Sequence, residues 1–302
     1  MVFAKRILLF VLVNVLVVAT ISITTSLLGI RPYLQANGIN YTALLAFCAI
    51  AGFSGAIISL LLSRWMAKMM YGVHVIDPAR ASSVERQLVT RVHALAKKAG
   101  INKMPQVGIY DSPEVNAFAT GATKNRALVA VSSGLLNQMD DAAVEGVLGH
   151  EIAHITNGDM VTMTLIQGVV NTFVMFFARI AAFALSQVMS GDRDSDKGPN
   201  PWVYMISVFA FDILFSILGS FVVAYFSRWR EFRADAGGAQ LAGVAKMTHA
   251  LESLKRNSTV DESHPAVAAF KINGRRRGLL ALLSTHPDLD DRIAALRNRG
   301  RV

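Results

Sequence analysis

The chain has 302 residues, 53% of them hydrophobic and 17% charged, with a formal net charge of +9. It is more apolar and less charged than an ordinary soluble domain, and because the excess lies in blocks it indicates membrane spans rather than one large core. The positive charge fits the cytoplasmic face of a membrane better than a nucleic-acid site. The single cysteine, Cys48, excludes an intrachain disulfide, so the fold requires no oxidising compartment.

The first two apolar blocks, residues 7–28 and 41–62, each reach the roughly 20 residues needed to cross a hydrocarbon core of about 30 Å. The first block follows Lys5 and Arg6, a pattern that a signal peptide also shows. However, it is longer than the usual apolar region of about 7–15 residues, and no clear cleavage site of small residues follows it. We therefore expect a retained membrane anchor.

The next segment carries elements of an α+β lobe outside the membrane. Apolar residues at steps of three and four predict a helix over residues 83–99, which Gly100 ends. Three strands are predicted after it, at residues 106–110, 116–120 and 127–132, and the loop between the last two suggests a hairpin.

The helix after these strands carries a His-Glu-x-x-His motif, and Asp140 or Asp141 can cap it. His150 and His154 lie four residues apart, so they project within about 40° of each other and can bind one ion. Glu151 lies beside them and suits a general base that acts on water at the metal. The motif alone is also compatible with a structural zinc site.

Residues 161–189 and 202–226 form the third and fourth apolar blocks, and their length favours membrane spans over buried helices of a soluble core. Arg179 and Asp212 interrupt these blocks ten residues from their facing ends, so a symmetric hairpin places them at similar depth. An isolated charge in a bilayer costs at least about 2.5–3.5 kcal/mol on insertion scales, and such charges usually pair or face a wet cavity. We predict that the two residues pair; the alternative is that one or both lie outside the membrane.

Glu231 follows the fourth block and is the best candidate for a third metal ligand, because catalytic zinc usually has three protein ligands and one open position. A hairpin returns the chain to the same membrane side, so Glu231 can meet His150 and His154. An odd number of intervening spans would have excluded this. Asp235 lies four residues on, on the same helical face, and can accept a ring N–H from a zinc-bound histidine. The alternative for both carboxylates is a solvated or salt-bridged surface.

The distribution of lysine and arginine sets the orientation. Basic residues precede the first block and follow the second and fourth, so the positive-inside rule places both termini and the metal site in the cytoplasm. The predicted fold is a mainly α membrane protein, with four transmembrane helices in two hairpins and an α+β cytoplasmic catalytic lobe that is zincin-like. Its domains are the first hairpin at 1–66, the first part of the lobe at 67–160, the second hairpin at 161–226 and the second part of the lobe at 227–302.

Four sequence stretches recur in a known family: Asn116-Ala-Phe-Ala-Thr-Gly121, His150-Glu-Ile-Ala-His154 with Asn157 and Asp159, Arg230-Glu-Phe-Arg-Ala-Asp235, and Thr285-His-Pro287 with Arg292. With them the chain resembles the HtpX-type membrane zinc metalloproteases, relatives of the CAAX prenyl proteases, over nearly its whole length. His-Glu-x-x-His alone is shared by many zinc enzymes, but its combination with Glu231 and Asp235 around these spans is much more specific.

The resemblance implies one zinc ion (Zn2+) per chain and further roles for two places. The strand with Asn116, Ala117 and Phe118 is expected to lie along the cleft and receive the substrate as an added strand, since a strand edge binds any extended peptide through main-chain hydrogen bonds. His286 is expected to approach the cleft and stabilise the tetrahedral oxyanion. The alternative for this region is that Thr285 caps the final predicted helix, and both can hold.

The predicted function is hydrolysis of peptide bonds by a membrane zinc endopeptidase, with Glu151 as the base. The resemblance implies protein quality control at the cytoplasmic face of a bacterial inner membrane. Unfolded, misassembled or damaged membrane proteins are the expected substrates, the lipid bilayer is a further partner, and nucleic acid is not.

Three alternatives compete with this function. A prenyl-protein protease encloses its substrate in a chamber with more than four spans, and a non-enzymatic zinc-binding scaffold tolerates loss of Glu151. A transporter would use Arg179 and Asp212 as its intramembrane charges. The sequence gives this alternative little support, because the four blocks show no detectable inverted repeat.

Overall fold

The computed structural model describes residues 41–190, 201–261 and 284–299. Within these ranges the chain is mostly helical and has one small sheet. The helices are α1 Tyr41–Tyr71, α2 Ser83–Lys98, α3 Ser133–Gln138, α4 Asp141–Asn157, α5 Asp159–Ser190, α6 Pro201–Ala242, α7 Val244–Asp261 and α8 Leu289–Arg299. The strands are β1 His74–Val75, β2 Gln106–Tyr110, β3 Ala117–Thr120 and β4 Leu128–Ser132, and a 3₁₀ turn covers Lys124–Arg126.

Three helices in the described ranges are long and apolar enough to cross a membrane, within Ala43–Tyr71, Asp159–Ser186 and Pro201–Ala242. They contain the second, third and fourth predicted spans. The first predicted span, residues 7–28, lies outside the described residues, so the count of four spans stays a prediction. Helix α6 does not end with the predicted span at position 226 but continues to its last residue, Ala242. The same helix therefore carries Glu231.

The described residues group into two compact units. One contains residues 60–162, 224–261 and 284–299, with the sheet and the His-Glu-x-x-His helix. The other contains residues 41–59, 163–190 and 201–223, which are the most apolar parts of the three long helices.

In the apolar unit, Arg179 of α5 faces Asp212 of α6. The distance from Arg179 Nη1 to Asp212 Oδ1 is 4.0 Å, so the predicted ion pair is confirmed, at a separation longer than a hydrogen bond. The same nitrogen donates to the carbonyl oxygen of Met175 at 3.0 Å, and the guanidinium carbon lies 5.6 Å from the centre of the Phe47 ring. These segments contain no other Asp, Glu, Lys or Arg, so the two opposite charges offset each other.

We expect the charge reversals Arg179→Asp and Asp212→Arg to damage the protein singly and to compensate each other in combination. Each single change places two like charges side by side, where even one unpaired charge costs at least about 2.5–3.5 kcal/mol in a bilayer. The yield of folded protein and its Tm in detergent should fall for each single variant and recover for the double variant. A double variant that is no better than the single ones would show that the pair does not support folding.

The other unit contains a four-stranded sheet in the order β1-β2-β4-β3. Strands β2 and β4 are parallel, and β3 and β4 form an antiparallel hairpin in which Ala117 is opposite Val131. The three predicted strands and their hairpin are confirmed. The sequence gives no sign of β1, because two residues are too few for an alternating pattern. Among the described strands β3 has only β4 as a neighbour, so it forms one edge of the sheet.

Helices α2 and α4 pack against the sheet. Helix α2 confirms the predicted helix and begins after Ser82, which forms a capping box with Glu85. Helix α4 contacts the edge strand β3, so this strand lies beside the helix that carries the His-Glu-x-x-His motif. The shared core includes the buried side chains of Leu88, Val92, Leu95, Val107, Val129, Val131, Leu148 and Ile152.

Candidate metal centre

Helix α4 carries the histidine pair in the interior of its unit. Its N-cap is Asp140, whose side chain accepts a hydrogen bond from the backbone N–H of Ala143 at 2.8 Å. The helix ends at Gly158, which has a φ of 71°, a left-handed conformation that glycine adopts without steric cost. This turn leads directly to Asp159, the first residue of α5. Its Oδ2 lies 2.6 Å from His154 Nδ1.

Glycines let helices α4 and α6 approach each other closely. A Cβ atom on Gly238 of α6 would lie 3.0 Å from the backbone nitrogen of His150, and one on Gly149 would lie 3.2 Å from the carbonyl oxygen of Gly238. Such spacing leaves little room for any larger residue. Because the helices cross at this point, Glu231 and Asp235, one to two turns earlier on α6, reach the histidines.

The three predicted ligands converge. His150 Nε2 is 3.0 Å from His154 Nε2, and these nitrogens are 3.5 and 3.4 Å from Oε2 and Oε1 of Glu231 respectively. All three residues are buried, with Glu231 only 1% exposed. Ligand atoms bound to a tetrahedral zinc ion at 2.0–2.1 Å stand about 3.3 Å from one another. The measured separations are near this value, and one donor atom from each of the three residues lies within 4.8 Å of the other two.

Two further carboxylates determine which ring nitrogens face the centre. Asp235 Oδ1 lies 2.9 Å from His150 Nδ1, and Asp159 Oδ2 lies 2.6 Å from His154 Nδ1. An ionised carboxylate only accepts hydrogen bonds, so each Nδ1 carries a hydrogen and each neutral ring presents a lone pair at Nε2. Two nitrogen lone pairs and the Glu231 carboxylate thus meet in one buried space. This donor set fits zinc.

The electrostatics of the centre favour a cation. Burial lowers the pKa of His150, but hydrogen bonds to Asp235 and Glu231 outweigh it and raise the pKa to about 9. Burial raises the pKa of Glu231, but hydrogen bonds from the three surrounding histidines outweigh it and hold that pKa far below its usual range. The imidazoles therefore hold protons tightly. A metal ion must displace these protons, which makes metal binding stronger as the pH rises.

Two residues predicted to take part in catalysis lie beside the predicted ligands. Glu151 follows His150 on α4 and is buried at 8% exposure. His286, predicted to approach the cleft, has its Nδ1 3.0 Å from Glu231 Oε2, while its side chain is 58% exposed. His286 thus contacts a predicted ligand through Nδ1, while more than half of its side chain is exposed to solvent.

The segment before α8 holds His286 in place without the predicted cap. Asp288, not Thr285, caps this helix, because the Asp288 side chain accepts from the backbone N–H of Asp290 at 2.9 Å. The alternative role of Thr285 is therefore wrong. Arg228 Nη1 donates to the carbonyl oxygen of Ser284 at 2.8 Å, which ties the segment to α6.

The residues predicted to bind substrate lie at the sheet edge. Asn116 precedes β3, and its backbone nitrogen donates to Ser132 Oγ at 3.1 Å. Ala117 and Phe118 belong to β3 itself. The Phe118 ring lies 5.6 Å from the ring of Tyr110, whereas Ala117 packs against the core that α4 shares with the sheet.

Asp159 and Arg292 contribute to the centre, although the sequence assigned them no role beyond their place in the resemblance. The available signal for Asp159 is a carboxylate directly after a glycine helix stop. Arg292 donates to both oxygens of Asp235, at 2.7 and 2.6 Å. Its signal is an arginine on the buried stripe of α8, next to Ile293 and four residues before Leu296.

Comparison with known proteins finds related proteases. The pattern of Peptidase family M48 matches residues 82–300. The chain is 58% identical over 300 residues to a Protease HtpX homolog of Bacillus licheniformis, covering 97% of this chain and 98% of the relative. It is 57% identical to that of Bacillus subtilis, covering 97% and 99%. The crystal structure of S. mikatae Ste24p has the same fold, with a TM-score of 0.66 at 17% identity, over 97% of this chain and 67% of that one.

We expect Gly146→Ala to destabilise the packing that supports α4. A Cβ atom at this position would lie 2.4 Å from the carbonyl oxygen of Lys246 on α7, so the backbone must shift. The free energy of unfolding should fall by about 1–3 kcal/mol, as for other overpacked sites, and zinc affinity should fall with it. Thermal unfolding and chelator competition measure the two effects. Ala245→Ser, at an exposed position of α7, serves as the control and should change neither.

We expect Asp159→Ala to weaken zinc binding by about 10–100-fold, because His154 loses the acceptor that fixes its tautomer. The matched control is Asp141→Ala. Asp141 is also the first residue of a helix, but its side chain is 84% exposed and pairs with Arg91. Chelator competition on both proteins gives the comparison. Equal zinc affinities would mean that Asp159 does not orient the histidine.

Proposed function

Because the chain belongs to Peptidase family M48, we propose that His150, His154 and Glu231 hold one zinc ion per chain. The protein is a membrane metalloprotease, as its full-length HtpX relatives and its long apolar helices indicate. One observation supports the proposed site above all: three buried residues bring their donor atoms together, and carboxylates fix the tautomers of the two histidines among them.

The proposed reaction needs one general base. When bound, zinc acts as a Lewis acid that polarises the scissile carbonyl group and lowers the pKa of water from 15.7 towards about 7. Glu151 accepts a proton from the water molecule as the water oxygen forms a bond to the carbonyl carbon. It then delivers this proton to the amine nitrogen as the C–N bond breaks. Glu151 follows His150 directly on α4, so it lies beside the helical face that His150 and His154 share, and this position supports the role of base.

The substrate is proposed to bind as a strand beside β3. This strand is at the sheet edge and packs against α4, so an added peptide comes close to the ligands. Main-chain hydrogen bonds to β3 recognise any extended peptide. Asn116, Ala117 and Phe118 form the beginning of this edge.

His286 is proposed to stabilise the oxyanion of the tetrahedral intermediate. Its Nδ1 lies 3.0 Å from Glu231 Oε2, and its side chain is 58% exposed. In the doubly protonated ring the N–H at Nδ1 donates to Glu231, and the N–H at Nε2 can then donate to the oxyanion of bound substrate. Hydrogen bonding to a buried carboxylate also fixes the ring orientation.

The proposed substrates are misfolded or damaged membrane proteins, cut at the cytoplasmic face of a bacterial inner membrane. Support comes from the long apolar helices and from the cluster of arginines after the fourth block, which the positive-inside rule assigns to the cytoplasm. The segments 67–160 and 227–302 are proposed to form one catalytic lobe, in agreement with the contacts between α4, α6 and α8. A prenyl-protein protease has less support, because such an enzyme encloses its substrate in a chamber with more than four spans, whereas three of the described helices are long and apolar enough to cross a membrane.

We expect Glu151→Gln to abolish cleavage of an unfolded model protein by detergent-purified, zinc-loaded enzyme, while zinc content stays unchanged. Glutamine keeps the size of the side chain but cannot accept the proton. His154→Ala is the companion variant and should lose both zinc and cleavage. Equal cleavage by wild type and Glu151→Gln would exclude Glu151 as the base. A wild type that holds zinc and cuts only a lipidated peptide would favour the prenyl-protein alternative.

A further inference from the structure

Arg292 projects from α8 into the buried part of the metal centre. Its side chain is 6% exposed, although arginine is almost never fully buried unless it is paired. A guanidinium group has no lone pair to offer, so Arg292 cannot be a metal ligand. A positive charge beside a cation site also opposes cation binding by simple Coulomb repulsion. Its presence there requires a different explanation.

The orientation of Asp235 provides that explanation. Arg292 donates from Nε to Oδ2 at 2.7 Å and from Nη2 to Oδ1 at 2.6 Å, a bidentate arrangement that fixes the plane of the carboxylate. The same Oδ1 lies 2.9 Å from His150 Nδ1. Because the guanidinium fork fixes the position of this oxygen, it also fixes the direction in which the His150 ring donates. As a result, the lone pair at His150 Nε2 points in a fixed direction, towards the metal centre.

A second contact links Arg292 to a proposed ligand. Its Nη1 lies 3.5 Å from Glu231 Oε2, the oxygen that also faces His286. One guanidinium group therefore spans two carboxylates, of which one orients a ligand and the other is a ligand. Both carboxylates are on α6, whereas the guanidinium comes from α8, so the contact joins the last described helix to the centre.

We propose that Arg292 is a positioning residue that holds Asp235 and Glu231 in the orientations that bind zinc. Helix α8 is thereby part of the metal centre although it supplies no ligand. The inference rests on the proposed zinc site. Lysine cannot take this role fully, because one ammonium group cannot bind both oxygens of a carboxylate in plane.

The test measures the zinc affinity of the full-length protein in detergent, by competition with a chromogenic chelator. Arg292→Gln is compared with Arg297→Gln, which removes an arginine from the same helix that is 62% exposed and pairs with Glu252. We expect Arg297→Gln to equal wild type and Arg292→Gln to bind zinc about 10–100-fold more weakly, the usual loss when a ligand-orienting partner is removed. Arg292→Lys should recover only part of this loss.

Kinetics on the same proteins separate positioning from substrate binding. At saturating zinc, Arg292→Gln should lower kcat for cleavage of an unfolded protein and leave KM unchanged, because Arg292 acts only through other residues of the site. In an Asp235→Asn background, adding Arg292→Lys should weaken zinc binding by less than about threefold, since the coupled partner is already altered.

Two outcomes would overturn the inference. In the first, Arg292→Gln binds zinc as tightly as wild type does. In the second, Arg292→Lys weakens zinc binding as much in the Asp235→Asn background as it does in the wild-type background. If Arg292→Gln does not fold, the chelator measurement on Arg292→Lys decides, and wild-type affinity there counts against positioning. Failure of the proposed function is distinguishable. A wild type that holds zinc but cuts no unfolded protein contradicts the proposed substrate class and leaves the zinc measurement on Arg292 intact.

Discussion

The metal centre depends on the close crossing of helices α4 and α6 at glycine residues. At Gly149 and Gly238 there is almost no room for a side chain between the two backbones. A functional constellation must be held to within about 0.5 Å of its working geometry. A residue with a bulky side chain at this crossing would push the helices apart by more than that. Glu231 would then move away from the two histidines, and the site would lose its third donor.

This crossing forces a group of charges into an apolar interior, where each charge is costly unless it is partnered. Three buried carboxylates at the centre have such a partner. Asp159 contacts His154, Asp235 contacts His150 and Arg292, and Glu231 lies against the histidine nitrogens. A metal ion in the middle would be the remaining counter-charge. Because these partners are as much as 142 positions apart in the chain, metal binding is coupled to the folding of the whole unit.

Much of this centre could be predicted from the sequence, because helical spacing and hairpin topology are local rules. Spacing of four placed both histidines on one face, and an even number of spans between His154 and Glu231 allowed the ligands to meet. The roles of Asp159 and Arg292 depend instead on where a chain turn and a distant helix lie in space. The spacing of apolar and polar residues along the sequence does not indicate contacts of this kind. The same limit applies to β1, a two-residue strand that exists only because β2 offers it a partner.

The distribution of burial in the centre also bears on what the enzyme selects. The proposed ligands and Glu151 are buried, whereas His286 is largely exposed and β3 presents an edge. An edge strand recognises main-chain N–H and C=O groups, which every peptide has, so side-chain sequence contributes little to binding. What it does require is an extended segment with unpaired backbone groups. Folded proteins rarely offer these groups, because nearly all of their buried backbone is already hydrogen-bonded. Selection by loss of folding rather than by sequence therefore follows from the proposed mode of binding, and it is the selection that a protease for damaged proteins needs.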